Sequence, residues 1–381
     1  MNPFLPLAWA HDSFWSFFPR EIVGLTAHFF DPAETSVADP AAPLQSQLDA
    51  QEAHLADDPQ HSDASIAPVS ETASRARPLV PDDASGQRWS SERFEYGNET
   101  YHFKMYVPGA HDGQPLPMIV MLHGAQQDSD DFASGTEMNI VAEEKGFIVV
   151  YPEQSESSNP LRCWNWFMPA NQTRDSGEAA AIAALTREVV ATYNVDRTRV
   201  YVAGMSAGGA LAVNLAVTHP ELYAAAAIHS GLAFGVADEQ LTALCAMNDG
   251  RGKVRLPQTS SDQPRPRAVP LIVFHGDADD TVHPRNSEQI VSMSQLLHGM
   301  PEDAVPVLST HVGHEANGHA YTRQVFHDCD GALVGEQWLV HGLGHAWSGG
   351  HPDGTHTDMR GPHATREIAR FFGQFVNDGG R

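Results

Sequence analysis

The sequence predicts an α/β fold, a mostly parallel central sheet with helices on both faces. Two observations carry that expectation. Short apolar, β-rich runs recur along the chain at residues 118–122, 147–151, 200–203, 223–228, 271–274 and 338–340. Stretches of helical spacing or composition separate most of them, at 135–145, 178–193, 207–217, 286–297 and 363–375. Strands that alternate with helices are joined by crossovers, which gives parallel pairing under a helical cover.

The elements before these runs read differently. Up to about residue 90 the chain is rich in Ala, Pro, Asp, Ser and Gln and holds 4 basic and 13 acidic residues. Residues 1–90 therefore read as an acidic, poorly ordered N-terminal tail or linker. Arg93-Phe94-Glu95-Tyr96 and Tyr101-His102-Phe103-Lys104-Met105-Tyr106-Val107 then alternate in polarity, as paired edge strands do. The folded domain is thus expected over 91–381. Residues 231–268, rich in Gly, Pro, Gln and Ser, break the rhythm and read as an insertion near the site. No internal repeat is visible.

Composition narrows the partners. A formal net charge of −25 argues against nucleic acid, which needs clustered Lys and Arg, and leaves a neutral substrate as the simpler expectation. Cys163, Cys245 and Cys329 allow at most one disulfide and form no C-x-x-C pair. No Lys or Arg precedes Arg20, so the start lacks the basic region of a secretory signal, which favours a cytoplasmic location. Its apolar stretches are too short to span a membrane.

The chemistry begins at Val200-Tyr201-Val202-Ala203-Gly204-Met205-Ser206-Ala207-Gly208-Gly209, a strand, a tight turn and a small-residue helix. This is the nucleophile elbow of the α/β-hydrolase fold, in which glycines leave room for a strained turn that lifts the serine above the sheet. Ser206 is the expected nucleophile, and the N–H of Ala207 at the helix start is an expected oxyanion donor. A serine nucleophile needs a base. Among 21 histidines, His345 follows the last predicted strand in the loop His341-Gly342-Leu343-Gly344-His345-Ala346-Trp347, where the chain order Ser, Asp, His places it. His341 and His351 are alternatives. A metal site from His341, His345, His351, His356 and His363 matches neither H-E-x-x-H nor H-x-x-E-H and has no cysteine to support it, so no metal and no cofactor is expected.

The acid that orients the base should follow a strand between the two. Leu271-Ile272-Val273-Phe274-His275-Gly276-Asp277-Ala278-Asp279-Asp280 offers three aspartates. Asp279 is chosen, because Asp277, nearer the strand end, is suited to tying down the turn and Asp280 to facing solvent. Met118-Ile119-Val120-Met121-Leu122-His123-Gly124-Ala125 ends another strand in a His-Gly turn, with Ala125 N–H as the second oxyanion donor and His123 as a structural support.

With these motifs in place, the chain resembles the polyhydroxybutyrate depolymerase family of esterases, which includes feruloyl and acetylxylan esterases. The resemblance rests on Leu122-His123-Gly124, Arg162-Cys163-Trp164-Asn165-Trp166-Phe167, Gly204-Met205-Ser206-Ala207-Gly208-Gly209, His275-Gly276-Asp277-Ala278-Asp279 and Gly344-His345-Ala346-Trp347-Ser348-Gly349-Gly350. It implies Ser206, Asp279 and His345 as the triad and cleavage of esters in short hydroxyalkanoate chains or similar substrates. It also implies Trp164, Trp166 and Trp347 as lining residues of an apolar acyl site. Relatives often carry cysteine where this chain has Ala125, so a bridge from there to Cys163 is not expected. The rival readings are a feruloyl or acetylxylan esterase, a peptidase, and a non-catalytic binding protein on the same scaffold.

Overall fold

The computed structural model describes residues 89–109, 114–257, 267–300, 307–328 and 330–379. The first strand begins at Trp89, so the folded unit reaches just into the segment read as a tail; the rest of that segment, and Cys329, lie outside the described residues.

Ten strands form one sheet in the order β1-β2-β4-β3-β5-β6-β7-β10-β9-β8. The centre is parallel: β4 (Ile148–Glu153), β3 (Leu116–Leu122), β5 (Val195–Met205), β6 (Ala225–His229), β7 (Leu271–Gly276) and β10 (Leu333–Val340). Antiparallel hairpins extend both edges, β1 (Trp89–Tyr96) with β2 (Glu99–Tyr106), and β8 (Val307–His314) with β9 (Ala320–His327). A short pair, β11 (Trp347–Ser348) and β12 (Thr357–Asp358), lies apart from the sheet.

The central strands are buried on both faces, and alternate residues serve different cores. On β3, Met118, Val120 and Leu122 face one cluster, together with α3 (Gly177–Thr192), α4 (Ala207–Thr218), α5 (Gln240–Asp249) and α6 (Arg285–Leu297). Ile119 and Met121 face the other, with α1 (Ser129–Thr136), α2 (Met138–Lys145) and α7 (Ala364–Phe372). This is the period of two that a pleated strand imposes. Helix α4 is apolar nearly all round because it packs between the sheet and other helices. Its Ala and Gly residues let it lie close to β5 and β6.

The expected architecture is thus present, with three differences in detail. The helix read at 135–145 starts only at Met138, and Glu137, whose φ of 54° is left-handed, parts it from a separate helix that ends at Thr136. The insertion read at 231–268 holds the regular helix α5, started by a capping box between Glu239 and Thr242. The hairpin β8–β9 was not expected. Among the described residues no helix is long and apolar enough to cross a membrane.

Candidate active site

Loops at the C-terminal ends of β3, β5, β7 and β10 build the site, the edge at which open parallel sheets place their ligands. At the end of β5, Ser206 has φ 55° and ψ −120°, a strained backbone that a non-glycine residue adopts only where its surroundings hold it. Two glycines make the turn possible. A Cβ on Gly204 would collide with the carbonyl of Gly208, and one on Gly208 with the carbonyl of Leu122. Two bonds pin the turn: Ser206 N–H donates to His229 O at 2.9 Å, and Ser206 O accepts Ala210 N–H at 2.9 Å. Ser206 is partly exposed, and among the described residues its hydroxyl has no hydrogen-bond partner.

The loop after β3 runs beside it. A Cβ on Gly124 would stand 3.6 Å from the Cβ of Ser206. Gly124 N–H is taken by Gln127 Oε1 at 2.9 Å and Gln126 N–H by Leu161 O at 2.7 Å. Between them, Ala125 N–H has no acceptor among the described residues. His123 is buried and supports this loop. Its Nε2 accepts Gln154 N–H at 3.1 Å, which leaves Nδ1 to donate to Gly124 O at 2.7 Å. Burial lowers its pKa and keeps it neutral.

Asp279 and His345 are brought together from the loops after β7 and β10, with His345 Nδ1 2.8 Å from Asp279 Oδ2. Asp279 is 4% exposed. Its Oδ1 accepts the N–H groups of Thr281 at 3.0 Å and Val282 at 2.8 Å. Burial would raise its pKa, but His345 and His275 outweigh burial and hold the carboxyl well below the usual range. The carboxylate fixes the tautomer: His345 carries its proton on Nδ1, and Nε2, without a partner among the described residues, is left as an acceptor. No hydrogen bond joins Nε2 to Ser206 Oγ in this structure.

The competing aspartates have other work. Asp277 Oδ2 is 2.7 Å from His341 Nδ1, and Oδ1 accepts Gly342 N–H at 2.6 Å, so it ties its turn to the loop that carries His345. His341 Nε2 is also occupied, 2.9 Å from Thr322 Oγ1. Asp280 is exposed, and so is His351.

The three tryptophans do not lie on an open wall. Trp164, Trp166 and Trp347 are 0%, 4% and 1% exposed. Trp164 donates its indole N–H to His123 O at 3.1 Å, and Trp347 donates its own to Thr365 Oγ1 at 3.0 Å while stacking on His229. Indoles this large contribute most by filling the core behind the loops, which is where the fold puts them. Cys163 and Cys245 are free thiols.

Two residues that sequence reasoning missed hold the loops together. Gln127, besides taking Gly124 N–H, donates to Asp131 Oδ2 at 2.8 Å and Thr355 O at 3.2 Å, linking the β3 loop to the segment before β12. His229 is fully buried; its carbonyl holds Ser206 N–H and its ring Nε2 accepts Ser348 N–H at 3.0 Å. It connects the serine turn to the loop after His345. Burial, then the neighbouring His275 and His345, push its pKa down to about 3. His229 has no local sequence signal because its partner Ser348 is distant in the chain, whereas Gln127 acts mainly on its near neighbours Gly124 and Asp131 and belongs to no motif that marks it.

Residues 101–307 match the model of a family described as esterase PHB depolymerase. Poly(3-hydroxyalkanoate) depolymerase C of Paucimonas lemoignei is 31% identical over 238 residues, covering 60% of this chain and 54% of that protein. The chain thus spans about half the length of that relative. Feruloyl esterase B of Thermothelomyces thermophilus is 30% identical over 232 residues, 54% of this chain and 77% of that one. Among solved structures, an acetyl xylan esterase from Aspergillus awamori superposes with a TM-score of 0.54 at 22% identity, over 74% of this chain and 99% of that one, a likeness of fold.

Proposed function

The chain belongs to the esterase PHB depolymerase family, and from that premise we propose that it is a serine esterase acting through an acyl-enzyme, with poly- or oligo(3-hydroxybutyrate)-like polyesters as substrates. The observation that supports this best is the 2.8 Å pair of Asp279 with His345, set beside a serine turn of φ 55° on the same edge of the sheet.

In the proposed reaction Ser206 Oγ attacks the ester carbonyl as His345 Nε2 takes its proton. Asp279 keeps the imidazole in the accepting tautomer and steadies the imidazolium. The tetrahedral oxyanion meets the N–H groups of Ala125 and Ala207, both fixed by backbone geometry before the reaction starts. His345 then gives the proton to the leaving alcohol, and water, activated by the same imidazole, releases the acid. Nucleophile, proton relay and charge stabilisation all come from protein groups.

A second reading is favoured by one feature. Next to the β1–β2 hairpin lies a polar cavity of about 1480 Å³, lined among others by Tyr96, Tyr101, Asp128, Glu153, Glu156 and Asn165. A polyester offers only acceptors along its length, whereas a polysaccharide offers hydroxyl donors that such carboxylates accept. Gln154, in the wall of this cavity, supports His123 through its N–H, which ties the cavity to the β3 loop. The alternative is an esterase of acetylated or feruloylated polysaccharide.

Incubation with hydroxybutyrate oligomers, polymer film, acetylated xylan and methyl ferulate, followed by mass spectrometry of products, separates the readings. Release of hydroxybutyrate units is the expected result. Acetate or ferulate alone would favour the second reading, and no cleavage of any ester would leave the non-catalytic scaffold.

A further inference from the structure

Asp279 has a second histidine beside it. His275, four residues earlier on β7, is wholly buried, and its Nε2 stands 2.7 Å from Val282 O. A carbonyl only accepts, so Nε2 carries the proton and Nδ1 is a lone pair. That Nδ1 is buried and has no partner among the described residues. An unmet buried polar atom is costly, and a leucine would fill a similar volume without one. Packing alone therefore does not account for a histidine here.

The same Nε2 lies 3.4 Å from Asp279 Oδ2, the oxygen that His345 Nδ1 meets at 2.8 Å. Val282 closes the arrangement, because its N–H binds Asp279 Oδ1 while its carbonyl holds His275. One carboxylate is thereby held by two backbone N–H groups and faced by two imidazoles.

We propose that His275 is a positioning residue whose Nε2–H, shared between Val282 O and Asp279 Oδ2, fixes the carboxylate and draws off part of its charge, setting how strongly Asp279 holds a protonated His345. This rests on the reading of Ser206, His345 and Asp279 as the triad. Two further titratable groups near His345 are His229, at the end of β6, and His356, whose ring centre is 6.4 Å from that of His345. Burial lowers the pKa of both, and Asp279 is the carboxylate in direct contact with His345.

The sign follows from the donor. Removing the His275 N–H returns charge to Asp279, which then holds the His345 imidazolium more firmly, so the base stays protonated to higher pH. In His275→Leu the acid limb of the kcat/KM–pH profile should move up by about half a pH unit, with plateau activity down roughly tenfold. In His275→Gln, whose amide N–H can replace Nε2–H, the limb should stay near the wild-type position.

A purely structural role would lower activity in both variants without moving the limb; a limb unmoved in His275→Leu, or moved equally in both, overturns the proposal. Should the leucine variant not fold, ¹⁵N-histidine NMR of the wild-type protein still tests it. His275 should remain a neutral Nε2–H tautomer while His345 titrates, and an Nδ1–H tautomer or joint titration would overturn it. Full activity in Ser206→Ala would sink the triad reading itself, a separate result from either of these.

Discussion

Replacing Asp279 by asparagine has an outcome that the surrounding bonds dictate. The two backbone N–H groups of Thr281 and Val282 hold Oδ1 at 3.0 and 2.8 Å, and they would orient the new amide with its oxygen toward them. The amide NH₂ then takes the place of Oδ2, 2.8 Å from His345 Nδ1. Two donors cannot share that gap, so His345 must turn Nδ1 into an acceptor and move its proton to Nε2. An imidazole protonated on Nε2 cannot receive the proton of Ser206. The expected loss is about 10⁴-fold in kcat, roughly 5 kcal/mol of transition-state stabilisation.

Asp277→Asn is the matched control. Asp277 and His341 are both 38% exposed, so their pairing is screened by solvent. An asparagine oxygen can still accept Gly342 N–H, and the expected loss is under about fivefold. Steady-state hydrolysis of p-nitrophenyl butyrate, with thermal melting to confirm folding, compares the two. If Asp279→Asn stayed within tenfold of wild type, or if Asp277→Asn fell further, the acid would have to be reassigned.

Two other outcomes follow from the loop network. Gln127→Ala frees Gly124 N–H and cuts the tie to Asp131, so the Ala125 donor loses its fixed aim. The expected result is a fall in kcat of about 10²-fold with KM little changed, and a fall of less than twofold would show the loop to be held by other means. Acid should destabilise the protein through His229. Its pKa is pushed down from about 6.5 to about 3, so below pH 6.5 the unfolded chain takes up a proton that the folded one refuses. Stability is complete above that pH and falls as pH drops toward 3, by about 3 kcal/mol at pH 4.5. Urea unfolding at pH 7.5 and 4.5 should show a smaller loss in His229→Gln than in wild type; equal losses would remove His229 as a cause.

What was legible in the sequence was what repeats locally. Runs such as Met118-Ile119-Val120-Met121-Leu122 are apolar on both faces of the sheet and announce central strands whatever surrounds them. The glycines flanking Ser206 record a steric demand of the turn, and Asp279 and His345 follow strands that could be recognised. The hairpin β8–β9 left no comparable trace, because the strand residues of β9 are mostly half-buried, with Phe326 buried in a core and Tyr321 packed against another. Helix α5 was hidden in a segment judged by its Gly and Pro content, although Glu239 and Thr242 form a start signal within it. Trp164, Trp166 and Trp347, which the family resemblance implies as lining residues, are almost fully buried and support the loops of the site from behind. His229 matters through Ser348, a partner brought close only by folding, while Gln127 and His275 act largely on near neighbours whose geometry a sequence does not display.

The central claim is that Ser206 is the nucleophile, and covalent trapping tests it most directly. Treatment with a fluorophosphonate, followed by intact mass and peptide mapping, should show one adduct, on the peptide that carries Ser206. The adduct should be absent in Ser206→Ala together with ester hydrolysis. An adduct on another residue, or hydrolysis retained in Ser206→Ala with a normal melting temperature, would contradict the account.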